Sequence, residues 1–372
     1  MKDIEYDIMN QSLKLFTAGP VACFPEVLEA MKTQMFSHRS REYQELHMET
    51  IELLSWFLET RKTILLFPSS GTGVMEASIR NAVSHGGKVL VTIIGAFGER
   101  YAEVVESNGR TAIKLEFKWG EPVDLDRLKE ALDLNPDIEA VAVTHNETST
   151  GVLNPLKDIA KIVKKYDKLL FVDAVSSMGA ADIKFDEWKI DIVFSSSQKA
   201  FGVPPGLAMA ALSDEALELS RNMSDKGWYF DLYKYYKVQL EKKSTPSTPP
   251  IPQIIGLNVI LKKIRDMGKY NWLDMYRRRS ERIREGVREI GLRLFAKEGF
   301  ESPTITTIYS PEGIDGSIIY EEMRKRGFEL AKGYGRIKKI TFRIGNMGDI
   351  KDEDIDEMLK NLREVIEELK SR

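Results

Sequence analysis

The sequence has only one cysteine, Cys23. No intrachain disulfide can form, which fits a reducing compartment. No apolar run approaches the roughly 18 residues a bilayer-crossing helix needs. Residues 1–10 alternate charged and apolar positions and lack the apolar core of a secretory signal. A cytoplasmic protein is expected. Charge of one sign is also missing: 54 basic side chains face 57 acidic ones, for a net charge of −3. That balance gives no broad field for nucleic acid or a membrane surface, so an anionic ligand has to be caught by a local site. Histidines number four, and none falls in a spacing that reads as a metal site. No repeat or low-complexity tract is present.

What is there is an alternation. Short β-rich runs at 63–67, 88–93, 112–117, 139–143, 168–172, 190–194 and 207–212 mostly lack polar alternation, as strands covered on both faces do. Helical patterns lie between them at 74–83, 97–107, 126–132 and 156–166. The reading is α/β, with a mostly parallel sheet and right-handed crossovers. The pattern changes after residue 212. A segment rich in Pro, Ser and Thr, 241–252, cannot be a helix interior. A long helical stretch over 254–290 follows, then a strand near 304–308, a helix near 318–326, a strand near 339–344 and a last helix over 352–370. This predicts an N-terminal segment (1–15), a large domain (16–255) and a smaller C-terminal α+β domain (256–372).

Several strand ends carry chemistry. Lys199 follows an apolar strand and three serines, and small, apolar and turn residues flank it. It is either a loop lysine or a lysine in low dielectric, whose pKa falls until the amine is a nucleophile fit for Schiff-base formation. Asp173 closes a wholly apolar strand at the carboxyl edge, where open α/β sheets bind ligands. It is either a helix cap or a carboxylate paired with a protonated pyridine nitrogen, which keeps that ring an electron sink. Ser70, Gly71, Thr72 and Gly73 open a helix after the strand 63–67. Exposed N–H groups there suit a phosphate, although an ordinary Ser/Thr cap looks similar. The segment has neither a P-loop lysine nor a GxGxxG pattern. Phe97, between Gly95 and Gly98, offers a face to a planar ring or is plain core. Residues 144–151 form a densely polar loop. His38 and His145 read equally well as structural residues.

Together these segments resemble the class V aminotransferases of the fold-type I pyridoxal-5′-phosphate enzymes, in particular the serine–pyruvate / alanine–glyoxylate aminotransferase group. The stretches that carry the resemblance, in order, are FTAGPVACFPEVLEAM, SHRSREYQELH, THNETSTGVLNPL, VDAVSSMG, SSQKAFGVPPG and FRIGNMG. The resemblance implies pyridoxal phosphate held by Lys199 as a Schiff base, with Asp173 on the pyridine nitrogen. It implies Ser70, Gly71, Thr72 and Gln198 at the phosphate, Phe97 and Val175 on the two ring faces and Thr148 near the ring hydroxyl. In a homodimer, Thr248 would reach the neighbouring subunit's phosphate. Arg343 would clamp the substrate carboxylate, helped by Ser177 and the backbone near Gly19. Small amino acids and keto acids are the implied substrates: serine or alanine as donor, pyruvate or glyoxylate as acceptor, with no second arginine to receive a side-chain carboxylate. The chain departs from many members at Phe97, where Trp or Tyr is usual. Ser69 stands where some carry Gly, and Thr245 where some carry Tyr.

Other readings remain open. 2-Aminoethylphosphonate is a rival donor. A lyase or cysteine desulfurase of the same fold needs a thiol on a mobile C-terminal loop, and no cysteine follows Cys23. A nicotinamide-dependent dehydrogenase leaves Asp173, Lys199 and Arg343 without roles. A catalytically dead relative is at odds with an intact Lys199.

Overall fold

A computed structural model describes residues 13–371. The chain opens with β1 (Lys14–Leu15), α1 (Pro25–Met31) and α2 (Arg41–Leu58). A regular alternation follows: β2 (Thr63–Phe67), α3 (Gly71–Ala82), β3 (Lys88–Ile93), α4 (Ala96–Ser107), β4 (Thr111–Glu116), α5 (Leu125–Leu134) and β5 (Ile138–Thr144). A hairpin of β6 (Asn146–Glu147) and β7 (Val152–Leu153) precedes α6 (Leu156–Lys165), β8 (Leu169–Asp173), β9 (Ile192–Ser196) and β10 (Ala208–Leu212). These strands give a seven-stranded sheet in the order β2-β10-β9-β8-β5-β3-β4.

The expected α/β class and mostly parallel sheet are present. All seven expected strands form, their ends within two residues of the predicted ones. One strand runs backwards. β10 is antiparallel to both β2 and β9, because the chain returns from β9 through a loop and not through a crossover helix. Alternation sends side chains to both faces. Ile64, Leu66 and Leu90 enter one hydrophobic cluster, whereas Leu65, Phe67, Val89 and Val91 enter the cluster on the opposite face. Six strands point the same way, so the ends of β2, β3, β5, β8 and β9 meet along one edge.

Helix α3 starts at Gly71, three residues before the expected 74. Ser70 is extended (φ −84°, ψ 167°) and takes the N-cap position, so the small residues after it form the first turn. Four helices were not anticipated: α1, α2, α7 (Asp214–Asn222) and α8 (Leu232–Lys242). The proline-rich linker is shorter than expected. Helix α8 runs through Lys242, and α9 (Ile251–Met267) tolerates Pro252 in its first turn, where no N–H partner is lost. The long helical stretch is two helices. Gly268, at φ +89°, separates α9 from α10 (Lys269–Glu289).

The remaining elements are β11 (Ile305–Tyr309), α11 (Gly316–Lys325), β12 (Phe328–Glu329), β13 (Ala331–Lys332), β14 (Thr341–Gly345) and α12 (Asp352–Ser371). An antiparallel sheet in the order β11-β14-β13 backs a third cluster that includes Ile283, Val287, Phe342, Ile344, Met358 and Leu362. Phe16 belongs to this cluster, and β1 pairs with β12. Ile254, Leu257 and Leu261 of α9, with Trp272 and Tyr276 of α10, belong instead to a cluster under the large sheet. Divided by core membership, the two bodies part within α10, beyond the 255/256 boundary read from the proline-rich segment. Among the described residues no helix is long and apolar enough to cross a membrane.

Candidate active site

The carboxyl edge of the large sheet carries a cavity of about 250 Å³ lined by Ser70, Gly71, Thr72, Phe97, Thr148, Asp173, Val175, Gln198 and Lys199. Nine of the ten expected cofactor residues therefore meet, from loops after β2, β3, β5, β8 and β9. The tenth, Thr248, lies exposed on the loop between α8 and α9 and is not part of this lining. Cys23 and His38 do not line the cavity either.

Lys199 is 9% exposed. Burial, then the nearby Arg343 charge, brings its amine down to about 8. Its Nζ donates to the Ala18 carbonyl at 2.5 Å. Gly19 (φ +110°) explains why a glycine stands there: a Cβ would lie 2.6–2.8 Å from the lysine Cδ, Cε and Nζ. Asp173 is held by the Val175 N–H at 2.9 Å. Burial raises its carboxyl to about 6, and the nearby Glu147 adds to this. The lysine charge works the other way but does not win.

Arg343 sits in the middle of β14, 7% exposed. Nε donates to Lys332 O at 2.9 Å and Nη1 to Thr148 O at 2.8 Å. A guanidinium has five N–H donors, so the end bearing Nη2 keeps its hydrogens free of protein acceptors among the described residues. Burial lowers this group to about 10 while Glu147 supports its charge. Ser177 is fully buried and does not line the cavity; its neighbour Ser176 does, bonded to Thr148 at 2.7 Å.

The sequence reading missed several residues. Met75, Arg100, Asn146 and Ser176 complete the lining. Arg100 is three residues past Phe97 on α4, and i,i+3 spacing places both on one face. The expectation of no second arginine is thus corrected. Its guanidinium covers Phe97 at 4.7 Å and donates to the Tyr334 hydroxyl at 3.1 Å. Glu147 is fully buried and accepts from the N–H groups of Phe97 (3.0 Å), Gly98 (3.2 Å) and Ser149 (3.0 Å) and from Ser149 Oγ (2.6 Å). Burial still raises its pKa. The carboxylate at position 147 ties the start of α4 to the polar loop. His145 is buried with Nδ1 unpartnered, and burial lowers it to about 3, so the ring is neutral.

The lining suits a flat, phosphorylated ring bearing an aldehyde. α3 begins without a side-chain cap, leaving its N-terminus open to an anion. Gln198 Oε1, Ser196 Oγ and Asn146 Oδ1 are buried without partners. Gly71 passes so near Val175 that a Cβ would stand 2.4 Å from its Cγ2. Fold and residues together fit a fold-type I pyridoxal-phosphate site.

Comparison with known proteins narrows the class. The family model "Aminotransferase class-V" matches residues 14–336. An uncharacterized aminotransferase of Methanocaldococcus jannaschii is 39% identical over 343 residues, 92% of this chain and 89% of that protein. The serine–glyoxylate aminotransferase of Methylorubrum extorquens is 34% identical over 350 residues, 91% of this chain and 87% of its own length. The crystal structure of an alanine–glyoxylate aminotransferase from Nostoc sp. superimposes with a TM-score of 0.91 at 30% identity, covering 95% of each chain. The chain belongs to the class V aminotransferases. It is a pyridoxal-phosphate-dependent aminotransferase acting on amino-acid and keto-acid substrates.

Proposed function

We propose that this enzyme transfers the amino group of serine or alanine to glyoxylate or pyruvate, as a cytoplasmic homodimer. The observation that carries the reading is Arg343: a buried guanidinium on a rigid strand, with its outer end unspent beside Lys199 and Thr148. That planar fork matches the carboxylate common to α-amino and α-keto acids. Two similar proteins point the same way: the Methylorubrum relative is named for serine and glyoxylate, the Nostoc structure for alanine and glyoxylate. Arg100 covers Phe97 and donates to Tyr334. That bond spends one N–H and leaves the others open, so Arg100 is the group through which an acidic donor would be accepted, and a donor panel reads it directly.

Pyridoxal phosphate, when bound, supplies an aldehyde for the amino group and a ring that accepts the electrons of the bond broken at the α-carbon. The chain's residues do the rest. Gly71, Thr72, Ser70 and Gln198 would hold the phosphate at the start of α3. Phe97 and Val175 would flank the ring, with Thr148 beside its hydroxyl. Asp173 would accept a hydrogen bond from the ring nitrogen. Lys199 Nζ would anchor the aldehyde, and its amine would hold the proton exchanged at the substrate α-carbon. Arg343 would orient the substrate, helped by the backbone near Gly19. Thr248 would reach the partner's phosphate.

A donor panel tests this. Serine or alanine should lead in kcat/KM, with aspartate, glutamate and 2-oxoglutarate poor. Arg343→Lys should raise KM for donor and acceptor with the fold intact, because it removes orientation more than charge. A tenfold preference for glutamate or 2-aminoethylphosphonate overturns the substrate reading and leaves the aminotransferase class standing.

A further inference from the structure

Tyr334 lies between β13 and β14, on the small domain. Its ring is parallel to that of Phe97, with centroids 5.8 Å apart and planes 9° apart. The Arg343 guanidinium carbon is 5.6 Å from the Tyr334 centroid. The hydroxyl accepts from Arg100 Nη2 at 3.1 Å, and Arg100 in turn lies over Phe97 at 4.7 Å. Two aromatic rings and two guanidinium groups, one of each from either domain, therefore close on one another beside the cavity.

A tyrosine on a surface loop is ordinarily free to turn. This one is not. Gly335 (φ +61°) comes so near Trp119 that a Cβ would stand 2.8 Å from the indole ring. Arg336 lies over the same indole at 4.5 Å and pairs with Glu99. The backbone on one side of Tyr334 is thereby docked on the large domain, and the hydroxyl is pinned at the far end of the ring.

We propose that Tyr334 is a specificity-determining residue: its ring walls the space between Phe97 and Arg343 and admits only substrates with short side chains. The proposal rests on Arg343 holding the substrate carboxylate, as argued above. A carboxylate on the open end of that guanidinium fixes where the α-carbon stands, and the side chain then extends toward whatever lines the adjoining space. Cation–π contact from Arg343, the hydrogen bond from Arg100 and the stacked Phe97 hold the ring, although 40% of the residue is exposed, so longer side chains meet its inner face first. A pocket that refuses one methylene discriminates by roughly tenfold or more.

The test compares wild-type holoenzyme with Tyr334→Ala and Tyr334→Phe. Turnover is measured for alanine, 2-aminobutyrate and norvaline. Binding of the unreactive acids propionate and pentanoate is measured by calorimetry. In the wild type, norvaline should fall at least tenfold below alanine in kcat/KM. Tyr334→Ala should raise the norvaline-to-alanine ratio, and the pentanoate-to-propionate affinity ratio, by tenfold or more. Tyr334→Phe keeps the ring and should hold both ratios within threefold of wild type. Tyr334→Thr replaces the alanine variant if that one does not fold. Ratios unchanged within twofold in the enlarging variant overturn the proposal, and so does a tenfold widening in Tyr334→Phe. If the wild type favours alanine and the enlarging variant still does, only the role of Tyr334 fails. If the wild type turns over norvaline as well as alanine, the short-donor reading fails with it.

Discussion

Lys199 and Asp173 share one cavity but are pushed in opposite directions by the same cause. Burial disfavours charge, so the lysine falls to about 8 and the aspartate rises to about 6. Capture of the cofactor aldehyde needs the neutral amine. The rate of capture by apoprotein should therefore climb with pH and level off above about 8. Borohydride reduction followed by mass spectrometry should find the cofactor on Lys199, and Lys199→Ala should lose both this adduct and nearly all turnover. For Asp173 the linkage sign is the reverse of a salt-bridged carboxylate. Its folded pKa, about 6, exceeds its ordinary 3.8, so between those values the folded chain binds more protons than the unfolded one. Stability is lost as pH rises through that window, and the full cost is present above it. Asp173→Asn keeps an oxygen for the Val175 N–H and removes the charge. It should stabilise the apoprotein by about 3 kcal/mol at pH 8, with no gain below pH 4, while weakening cofactor binding. Thermal melts and cofactor titrations measure the two effects. Unchanged cofactor affinity would make Asp173 a simple cap.

At the scale of elements, the site depends on how α4 begins. Gly95 occupies the N-cap position and offers no side chain to the first turn. Glu147 supplies the missing acceptor from the polar loop, bonding the Phe97 and Gly98 N–H groups. The same loop offers the Thr148 carbonyl to Arg343. One buried carboxyl thus sets the positions of Phe97 and Arg343 together. In Glu147→Gln, an amide NH₂ would face N–H donors. The variant should lose about 1–3 kcal/mol of stability and bind cofactor more weakly, as calorimetric melting with and without cofactor would show. A variant that loses stability but keeps wild-type cofactor affinity would mean that Glu147 supports the fold and not the site. The strands around this site were legible because mostly apolar runs of five to seven residues bounded by turns have few other uses. The starts of α3 and α9 were not, because Gly, Thr and Pro have poor helix propensity. Those residues are tolerated in a first turn, where the N–H groups need no intrahelical partner.

At the scale of the whole molecule, the small sheet brings Arg343 against Thr148 in the wall of a cavity built by the large one, without Arg343 itself lining it, and the two bodies also meet at Tyr334, Arg336 and Glu99. A twofold dimer would place the exposed Thr248 loop of one subunit at the phosphate of the other, and isologous dimers are the commonest assembly. Sedimentation at assay concentration should give twice the chain mass of 42.4 kDa. Thr248→Ala should weaken cofactor binding without altering that mass. A fully active monomer would exclude a shared site.

From the sequence alone came the α/β class, the seven strands of the main sheet, the order of the motifs and most of the cavity wall. Each of these is written locally, in a run of apolar residues or in the turn that ends a strand. Tertiary structure decided what joins residues far apart in the chain. Lys199 meets Ala18 across 181 positions, and Arg343 meets Thr148 across 195. The reversal of β10, the division of α10 between two cores, and the meeting of Arg100 with Tyr334 belong to the same kind. Such partnerships depend on which strand ends lie side by side and on how two cores close over each other. A hydrophobic pattern marks which residues are buried, but it does not say against what.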